Sequence, residues 1–293
     1  MKRIISVEQK EPVVFLGDDY VYGNRRYFCR AANRQLKLSI MRPRNFNDHD
    51  IQYEKCPVVM WVCGGGWMEM DRKVWLPELV YLAKQGYAVV SMDYSTEFTT
   101  RWPEQMQDVT SAIRWVRTHA AEFAFDPDRI AIMGESAGGH LSVIAGLIED
   151  GLYDSGENPG QSSTVQAVVA WYPPTSPMVL FEELEGTVLR NSVLPDDEAL
   201  LNSGLSRNMG PADLEKYDDT LKLVKAGAPP FLLLHGDKDS GVAVSHSHKL
   251  HDALEQVGNS VELYVIEDAD HAEGRFVQPV VKEIILNFLD EHL

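Results

Sequence analysis

Short, continuous apolar runs alternate with amphipathic segments along most of this chain. The runs at 58–62 (VVMWV), 87–92 (YAVVSM) and 231–235 (FLLLH) are apolar on both faces of an extended strand, which is typical of strands covered on both sides. Between the last two, residues 103–120 repeat apolar side chains at helical spacing. The alternation predicts an α/β fold, with a mostly parallel central sheet and helices on both faces.

One stretch breaks this alternation. Residues from about 174 to 226 are rich in proline and acidic side chains, and they show short helical patterns without a strand. Residues 1–293 are therefore expected to form a single domain, in which 174–226 is a small helical insertion that caps the carboxyl edge of the sheet.

Composition excludes several classes of protein. The hydrophobic content of 44% is ample for a core, and the net charge of −17 argues against nucleic acid or an anionic membrane as the main partner. The 3 cysteines are irregularly spaced, which favours a reducing compartment over a disulfide scaffold. No apolar window approaches the ~20 residues that span a bilayer. A cytoplasmic protein is expected, and its oligomeric state cannot be predicted.

The segment RIAIMGESAGGH places Ser136 between a predicted strand and a predicted helix, with Gly134 and Gly138 on either side. This is the G-x-S-x-G pattern in its supporting context, where a tight turn projects a serine hydroxyl above the edge of the sheet. A glycine-rich turn without catalysis is the alternative. The context favours a nucleophilic serine.

A serine nucleophile needs a base, and the base needs an orienting acid. Asp237 and Asp239 follow the strand at 231–235, and His271 follows a later strand. The order serine, aspartate, histidine is the one expected for a triad on successive strand ends. The other histidines fit less well: His140 lies inside the helix after Ser136, and His235 ends a strand. We expect His246, His248 and His251 to be solvated on an amphipathic helix.

Three consecutive glycines, Gly64 to Gly66, directly follow the strand at 58–62. Bare backbone there can bring N–H donors against a substrate oxygen that becomes negatively charged during attack. A phosphate-binding loop is disfavoured, because no Lys-Ser/Thr pair follows.

Together, CGGGW, GESAGGH, HGDKDSGV and the late DADH resemble the α/β-hydrolase serine esterases, more narrowly the hormone-sensitive-lipase-like and bacterial feruloyl or acetylxylan esterases. The phrase WPEQMQDVTSAIRWVRTHAAEFAFDPDRIAIMGESAGGHL is typical of that group, and the likeness runs from about residue 36 to the end. It implies an α/β-hydrolase fold and a triad of Ser136, Asp239 and His271, with Asp239 preferred over Asp237.

The same resemblance implies that the N–H groups of Gly65, Gly66 and Ala137 form an oxyanion hole. The family usually has a histidine before the glycines, and this chain has Cys63. That histidine generally braces the loop, so an active enzyme with altered loop rigidity is expected. A degenerate hydrolase and a reactive Cys63 thiol are the alternatives.

By analogy with related esterases, Trp67, Trp171 and Tyr172 are expected to line the substrate pocket, with simple packing as the alternative.

The resemblance implies a carboxylic-ester hydrolase for short acyl groups on a small-molecule substrate, with acetyl or feruloyl esters of carbohydrates as the leading guess. An arylformamidase-like amide hydrolase and a non-catalytic small-molecule binder are the alternatives. A prolyl-oligopeptidase-like peptidase is disfavoured because no propeller domain precedes the motifs. Neither a cofactor nor a metal is expected, because aspartates and histidines lack ligand spacing.

Overall fold

The structure, a computed structural model, describes residues 2–8, 10–26, 33–44, 55–67, 70–96, 102–176, 179–180, 183 and 219–293. Its sheet has 8 strands in the order β1-β2-β4-β3-β5-β6-β7-β8. The pairs β1–β2 and β2–β4 are antiparallel, and all the remaining neighbours are parallel. The strands are β1 (Val13–Arg26), β2 (Asn33–Arg44), β3 (Cys56–Val62), β4 (Ala88–Met92), β5 (Phe125–Glu135), β6 (Ala167–Trp171), β7 (Phe231–Gly236) and β8 (Val261–Ile266).

Helices cover both faces of this sheet. They are α1 (Leu76–Lys84), α2 (Glu104–Thr118), α3 (Ala120–Phe123), α4 (Ala137–Leu147), α5 (Thr220–Leu223), α6 (Ser245–Gln256) and α7 (Pro279–His292), with a 3₁₀ turn at Gly274–Val277. Helices α2, α4 and α6 bury apolar side chains against one face, and α1 and α7 bury theirs against the other.

Strand β3 shows why the parallel strands are apolar throughout. Val58 and Met60 contribute to one core cluster, while Val59 and Trp61 contribute to the other. All four side chains are fully buried, because successive residues of a strand point to opposite faces and both faces are covered. Each such side chain contributes roughly 1.5–3 kcal/mol to stability through its burial.

Strand β1, which pairs with β2 along one margin of the sheet, was not predicted from the sequence. Its register is interrupted between Gly17 and Tyr20 and again between Val21 and Gly23. Each interruption shifts the side-chain alternation, which is the signal by which a half-exposed strand is recognised.

The predicted α/β-hydrolase architecture is confirmed, with its mostly parallel sheet and two helical layers. Most of the expected cap at 174–226 lies outside the described residues, and within it the structure shows α5. The single-domain organisation stays a prediction. Among the described helices, none is long and apolar enough to cross a membrane.

Candidate active site

Ser136 lies in the turn between β5 and α4, with backbone angles of φ +52° and ψ −122°. A positive φ is strained for a residue with a side chain, and such strain is typical of nucleophile turns. A Cβ on Gly138 would lie 2.1 Å from the Val62 carbonyl oxygen, and one on Gly134 would lie 2.5 Å from the Gly138 carbonyl oxygen. Both flanking glycines are therefore required by backbone that packs against them.

His271 follows β8 and reaches Ser136 across the carboxyl edge of the sheet. Its Nε2 lies 3.0 Å from Ser136 Oγ, and its Nδ1 lies 2.8 Å from Asp239 Oδ2 and 3.1 Å from Oδ1. These are hydrogen-bond distances. The three side chains thus form one hydrogen-bonded line from three separate strand ends.

The carboxylate of Asp239 is fully buried. Its Oδ1 accepts hydrogen bonds from the N–H groups of Gly241 at 2.8 Å and Val242 at 2.7 Å. Burial alone would raise the pKa of Asp239, but hydrogen bonds from His235, His271 and the backbone outweigh it and hold that pKa below its usual range. Asp237 is exposed on the same loop, so the structure brings Asp239, rather than Asp237, to His271.

Asp270 ties the loop of Asp239 to the loop of His271. Its Oδ1 accepts from the backbone N–H of Ser240 at 2.8 Å, from Ser240 Oγ at 2.9 Å and from the backbone N–H of His271 at 2.7 Å. This role of Asp270 was not predicted, although the residue directly precedes His271 in the DADH motif. By holding both loops, Asp270 fixes the approach of His271 to Asp239.

The glycine loop lies next to Ser136 at the end of β3. Gly65 and Gly66 have φ values of +121° and +59°, which favour glycine. Among the described residues, no acceptor takes up the N–H groups of Gly65, Gly66 or Ala137. Ala137 is the first residue of α4, where the helix dipole adds positive potential.

Glu135, the residue before Ser136, is hydrogen-bonded to the glycine loop. Its buried carboxylate accepts a short hydrogen bond from the Gly64 N–H and another at 3.2 Å from Trp75 Nε1. Burial raises the pKa of Glu135, and these donors together with the nearby His271 oppose that rise. Sequence reasoning missed this role. The signal was a charged residue at the end of an otherwise apolar strand.

Residues 47–254 match the family BD-FAE. This stretch includes the glycine loop, the nucleophile turn and the loop of Asp239, and it covers well over half of the chain. The chain belongs to the BD-FAE family. The resemblance to α/β-hydrolase esterases inferred from the motifs is thereby confirmed.

Two curated relatives of this BD-FAE chain are named as ester hydrolases. It is 32% identical over 214 residues to the probable carboxylic ester hydrolase LipM of Mycobacterium tuberculosis, which covers 71% of this chain and 47% of LipM. It is 31% identical over 251 residues to the esterase LipC of the same organism, covering 82% of this chain and 57% of LipC. The chain therefore spans about half the length of the curated relatives it matches.

Solved structures give the same fold. The esterase Est2 of Thermogutta terrifontis, in its propionate-bound form, superposes with a TM-score of 0.69 at 26% identity, over 93% of this chain and 92% of Est2. A truncated carbohydrate esterase from gut microbiota has a TM-score of 0.75 at 24% identity, over 95% of this chain and 96% of that one. The second likeness speaks for the fold alone.

The aromatic side chains expected to line the pocket of this BD-FAE chain are buried. Trp67, Trp171 and Tyr172 are 2%, 1% and 0% exposed. The Trp171 ring packs edge-on against Trp61 and Trp75, and the Tyr172 ring centroid lies 4.4 Å from that of His271. The contacts seen for Trp171 are packing contacts, whereas Tyr172 borders the base. Contact of any of the three with substrate remains a prediction.

Cys63 occupies a small buried site beneath the glycine loop. Trp61 Nε1 donates to its sulfur at 3.1 Å, and the thiol lies 3.3 Å from the carbonyl oxygen of Asp71. Burial raises the pKa of Cys63 to about 12. The geometry therefore disfavours the reactive-thiol alternative, since the thiolate is the reactive form.

The expectation for His246 was wrong. Its side chain is fully buried rather than solvated, with Nδ1 2.8 Å from Thr175 Oγ1 and Nε2 2.9 Å from Glu183 Oε2. Both partners lie within the region assigned to the cap, so the helical pattern of α6 could not reveal them. His248 is exposed, His251 is half-buried, and His140 is buried against the Trp67 ring.

Among the described residues, one cluster has donor atoms close enough to hold a metal ion. His251, Asp252 and Glu255 on α6 bring one ligand atom each within 4.8 Å of one another. All three are half-buried or exposed, and acidic surface groups of this kind are common without an ion. The cluster contains no residue of the hydrogen-bonded line Ser136–His271–Asp239.

Proposed function

We propose that this protein is a serine carboxylic-ester hydrolase acting on short-chain acyl esters. The observation that carries the proposal is the line Ser136–His271–Asp239, with distances of 3.0 Å and 2.8 Å, at the sheet edge beside the backbone N–H groups of the glycine loop. The esterase names of its relatives support the same class of reaction.

In the proposed mechanism, His271 Nε2 takes the proton of Ser136 Oγ as that oxygen attacks the ester carbonyl carbon. Asp239 holds Nδ1–H and stabilises the imidazolium that forms. The N–H groups of Gly65, Gly66 and Ala137 bind the oxyanion, each contributing roughly 3 kcal/mol to stabilisation of the transition state. The alcohol leaves with the proton from His271. Water, deprotonated by His271, then releases the acid and restores Ser136.

The substrate is proposed at the level of a short acyl ester, with acetyl or feruloyl groups on a carbohydrate as the finer proposal. The propionate- and butyrate-bound forms of Est2 support a small acyl group. Support for the carbohydrate portion comes from the resemblance of the motifs to those of feruloyl and acetylxylan esterases.

The test measures hydrolysis of p-nitrophenyl acetate, propionate, butyrate and octanoate by wild type and by Ser136→Ala. Wild type is expected to prefer the short esters, and Ser136→Ala is expected to lose at least ~10⁴-fold in kcat. A fluorophosphonate should label wild type at Ser136 alone. Ser260→Ala changes an exposed serine that directly precedes β8 and is the matched control. Activity retained in Ser136→Ala would refute the nucleophile.

A second panel resolves the substrate class. It compares acetylated xylan, feruloylated sugars and N-formylkynurenine at equal concentrations. Faster turnover of N-formylkynurenine than of every ester would replace the proposal with the arylformamidase alternative. No turnover on any substrate, with no labelling of Ser136, would favour the non-catalytic binder.

A further inference from the structure

His235 is a buried histidine that the mechanism above does not use. It is the penultimate residue of β7, and its side chain is fully buried. Its Nδ1 lies 2.7 Å from Ser247 Oγ on α6, and its Nε2 lies 2.8 Å from the carbonyl oxygen of Val242. The ring is therefore held from two sides, by a helix and by the loop after Asp239.

The partners of His235 fix its tautomer at one nitrogen. The Val242 carbonyl can only accept a hydrogen bond, so Nε2 must carry a hydrogen. Ser247 can donate to or accept from Nδ1, so that bond is satisfied in either protonation state. An N–H donor consequently points from His235 toward the loop of Asp239.

The same Nε2 lies 3.4 Å from Asp239 Oδ2. That oxygen is the one closest to His271, at 2.8 Å, so it lies between two imidazole rings. Val242 completes a closed arrangement, because its N–H donates to Asp239 Oδ1 at 2.7 Å while its carbonyl accepts from His235. Rotation of the Asp239 carboxylate would break contacts on both sides at once.

We propose that His235 is a positioning residue that fixes the Asp239 carboxylate, and through it the tautomer and orientation of His271. The inference rests on the proposed function for its catalytic consequence. A buried carboxylate needs several polar contacts to remain ionised, and the His235 Nε2–H, which donates to the Val242 carbonyl at 2.8 Å, also lies 3.4 Å from Asp239 Oδ2. The competing view is that His235 merely links β7 to α6 and has no bearing on the chemistry.

The kinetic test compares His235→Gln with His235→Asn. The glutamine amide nitrogen can reach the position of Nε2, whereas that of asparagine reaches only the position of Nδ1. His235→Asn is expected to lower kcat on p-nitrophenyl acetate by ~10–100-fold with KM within about twofold, because a small misplacement of a catalytic group has effects of that size. His235→Gln is expected to stay within about threefold of wild type. Equal kcat losses in the two variants, following their loss of thermal stability, would support the merely structural view and overturn the proposal.

A double-mutant cycle tests whether His235 acts through Asp239. In an Asp239→Asn background, adding His235→Asn is expected to change kcat by less than about twofold, since coupled residues are not additive. A full multiplicative loss in the double variant would show that His235 acts independently of Asp239, which contradicts the proposal.

A measurement without turnover separates this proposal from the proposed function. The Nδ1–H proton of His271, hydrogen-bonded to a carboxylate, should give a downfield resonance in the proton NMR spectrum of wild type that Asp239→Asn abolishes. We expect His235→Asn to shift or broaden it and His235→Gln to retain it. An unaltered resonance in His235→Asn overturns the inference. If wild type hydrolyses no ester, the proposed function fails, and the resonance still decides whether His235 orders the pair.

Discussion

Two glycine-rich segments meet beside Ser136, and their glycines are required for different reasons. In the nucleophile turn, a Cβ on Gly138 would lie 2.1 Å from the Val62 carbonyl oxygen and 2.5 Å from that of Cys63. In the glycine loop, Gly65 is exposed and has a φ of +121°. Packing against another strand requires the first glycine, and backbone conformation requires the second.

This difference predicts how substitutions in each segment affect the protein. The nucleophile turn packs directly against the end of β3, so a residue larger than glycine at position 138 must displace backbone of the central sheet. The glycine loop is anchored through Gly64 to the Glu135 carboxylate. Changes in the turn should therefore reduce stability, whereas changes in the loop should reduce the rate of the proposed reaction first.

The largest effect is expected for Gly138→Ala. Because the contacted atoms are backbone oxygens, the substitution should destabilise the fold by at least ~3 kcal/mol and lower Tm by ~6 °C or more. Gly274→Ala is the control, since a Cβ there meets nothing within 4 Å. Thermal unfolding monitored by circular dichroism compares the two. If Gly138→Ala has the same Tm as Gly274→Ala, the nucleophile turn can accommodate a Cβ. The proposed difference between the turn and the glycine loop would then be wrong.

Gly65→Ala should separate rate from stability. A non-glycine residue at such a φ carries ~1–3 kcal/mol of strain, so Tm should fall less than in Gly138→Ala. A loop that shifts to relieve this strain misplaces its N–H donors, and kcat on p-nitrophenyl acetate is expected to fall by ~100-fold. A lowered Tm with unchanged kcat would argue that the Gly65 N–H plays no part in the reaction.

Some of the strands and site residues could be predicted from the sequence, and others could not. The parallel strands were visible because both faces of each are buried, as for Val58 and Val59 in β3. Ser136 and His271 could be proposed because each follows a strand end in the expected order, and the resemblance to the esterases favoured Asp239 over Asp237. Strand β1 was missed because two register interruptions hide its alternation.

Partnerships between distant residues were harder to predict. Glu135 and Gly64 are 71 positions apart in the chain, and no local sequence pattern in either segment predicts the hydrogen bond between them. His246 was assigned to solvent because the pattern of α6 shows which face is apolar, but not that Thr175 and Glu183 supply acceptors and donors at that helix. Contacts of this kind depend on the assembled sheet and follow from the structure alone.

Glu135→Ala tests whether one carboxylate holds the glycine loop. It removes the acceptor of the Gly64 and Trp75 N–H groups, and leaving buried donors unpaired destabilises by ~1–3 kcal/mol. We expect kcat to fall by ~10-fold. Glu135→Gln keeps a carbonyl oxygen for Gly64 and should recover most of that loss. If alanine and glutamine variants both match wild type, the loop is held by something other than Glu135.

The smallest effect is expected at Cys63, which lies between β3 and the glycine loop. With a pKa of about 12, roughly one thiol in 10⁴ is ionised at pH 8, so native protein should resist iodoacetamide there while unfolded protein reacts. Peptide mass spectrometry distinguishes Cys63 from the half-buried Cys56.

The same burial gives Cys63 a pH signature. The unfolded thiol ionises from about pH 8.5 while the folded thiol remains neutral to about 12, so this group lowers stability as pH rises between those values. In Cys63→Ala, Tm should decrease less between pH 8.5 and 10 than it does in wild type. The kcat of this variant should stay within about threefold of wild type. Rapid native labelling of Cys63 would instead mean that the base of the loop opens to solvent. The fixed position of its donors could then not be attributed to Glu135 alone.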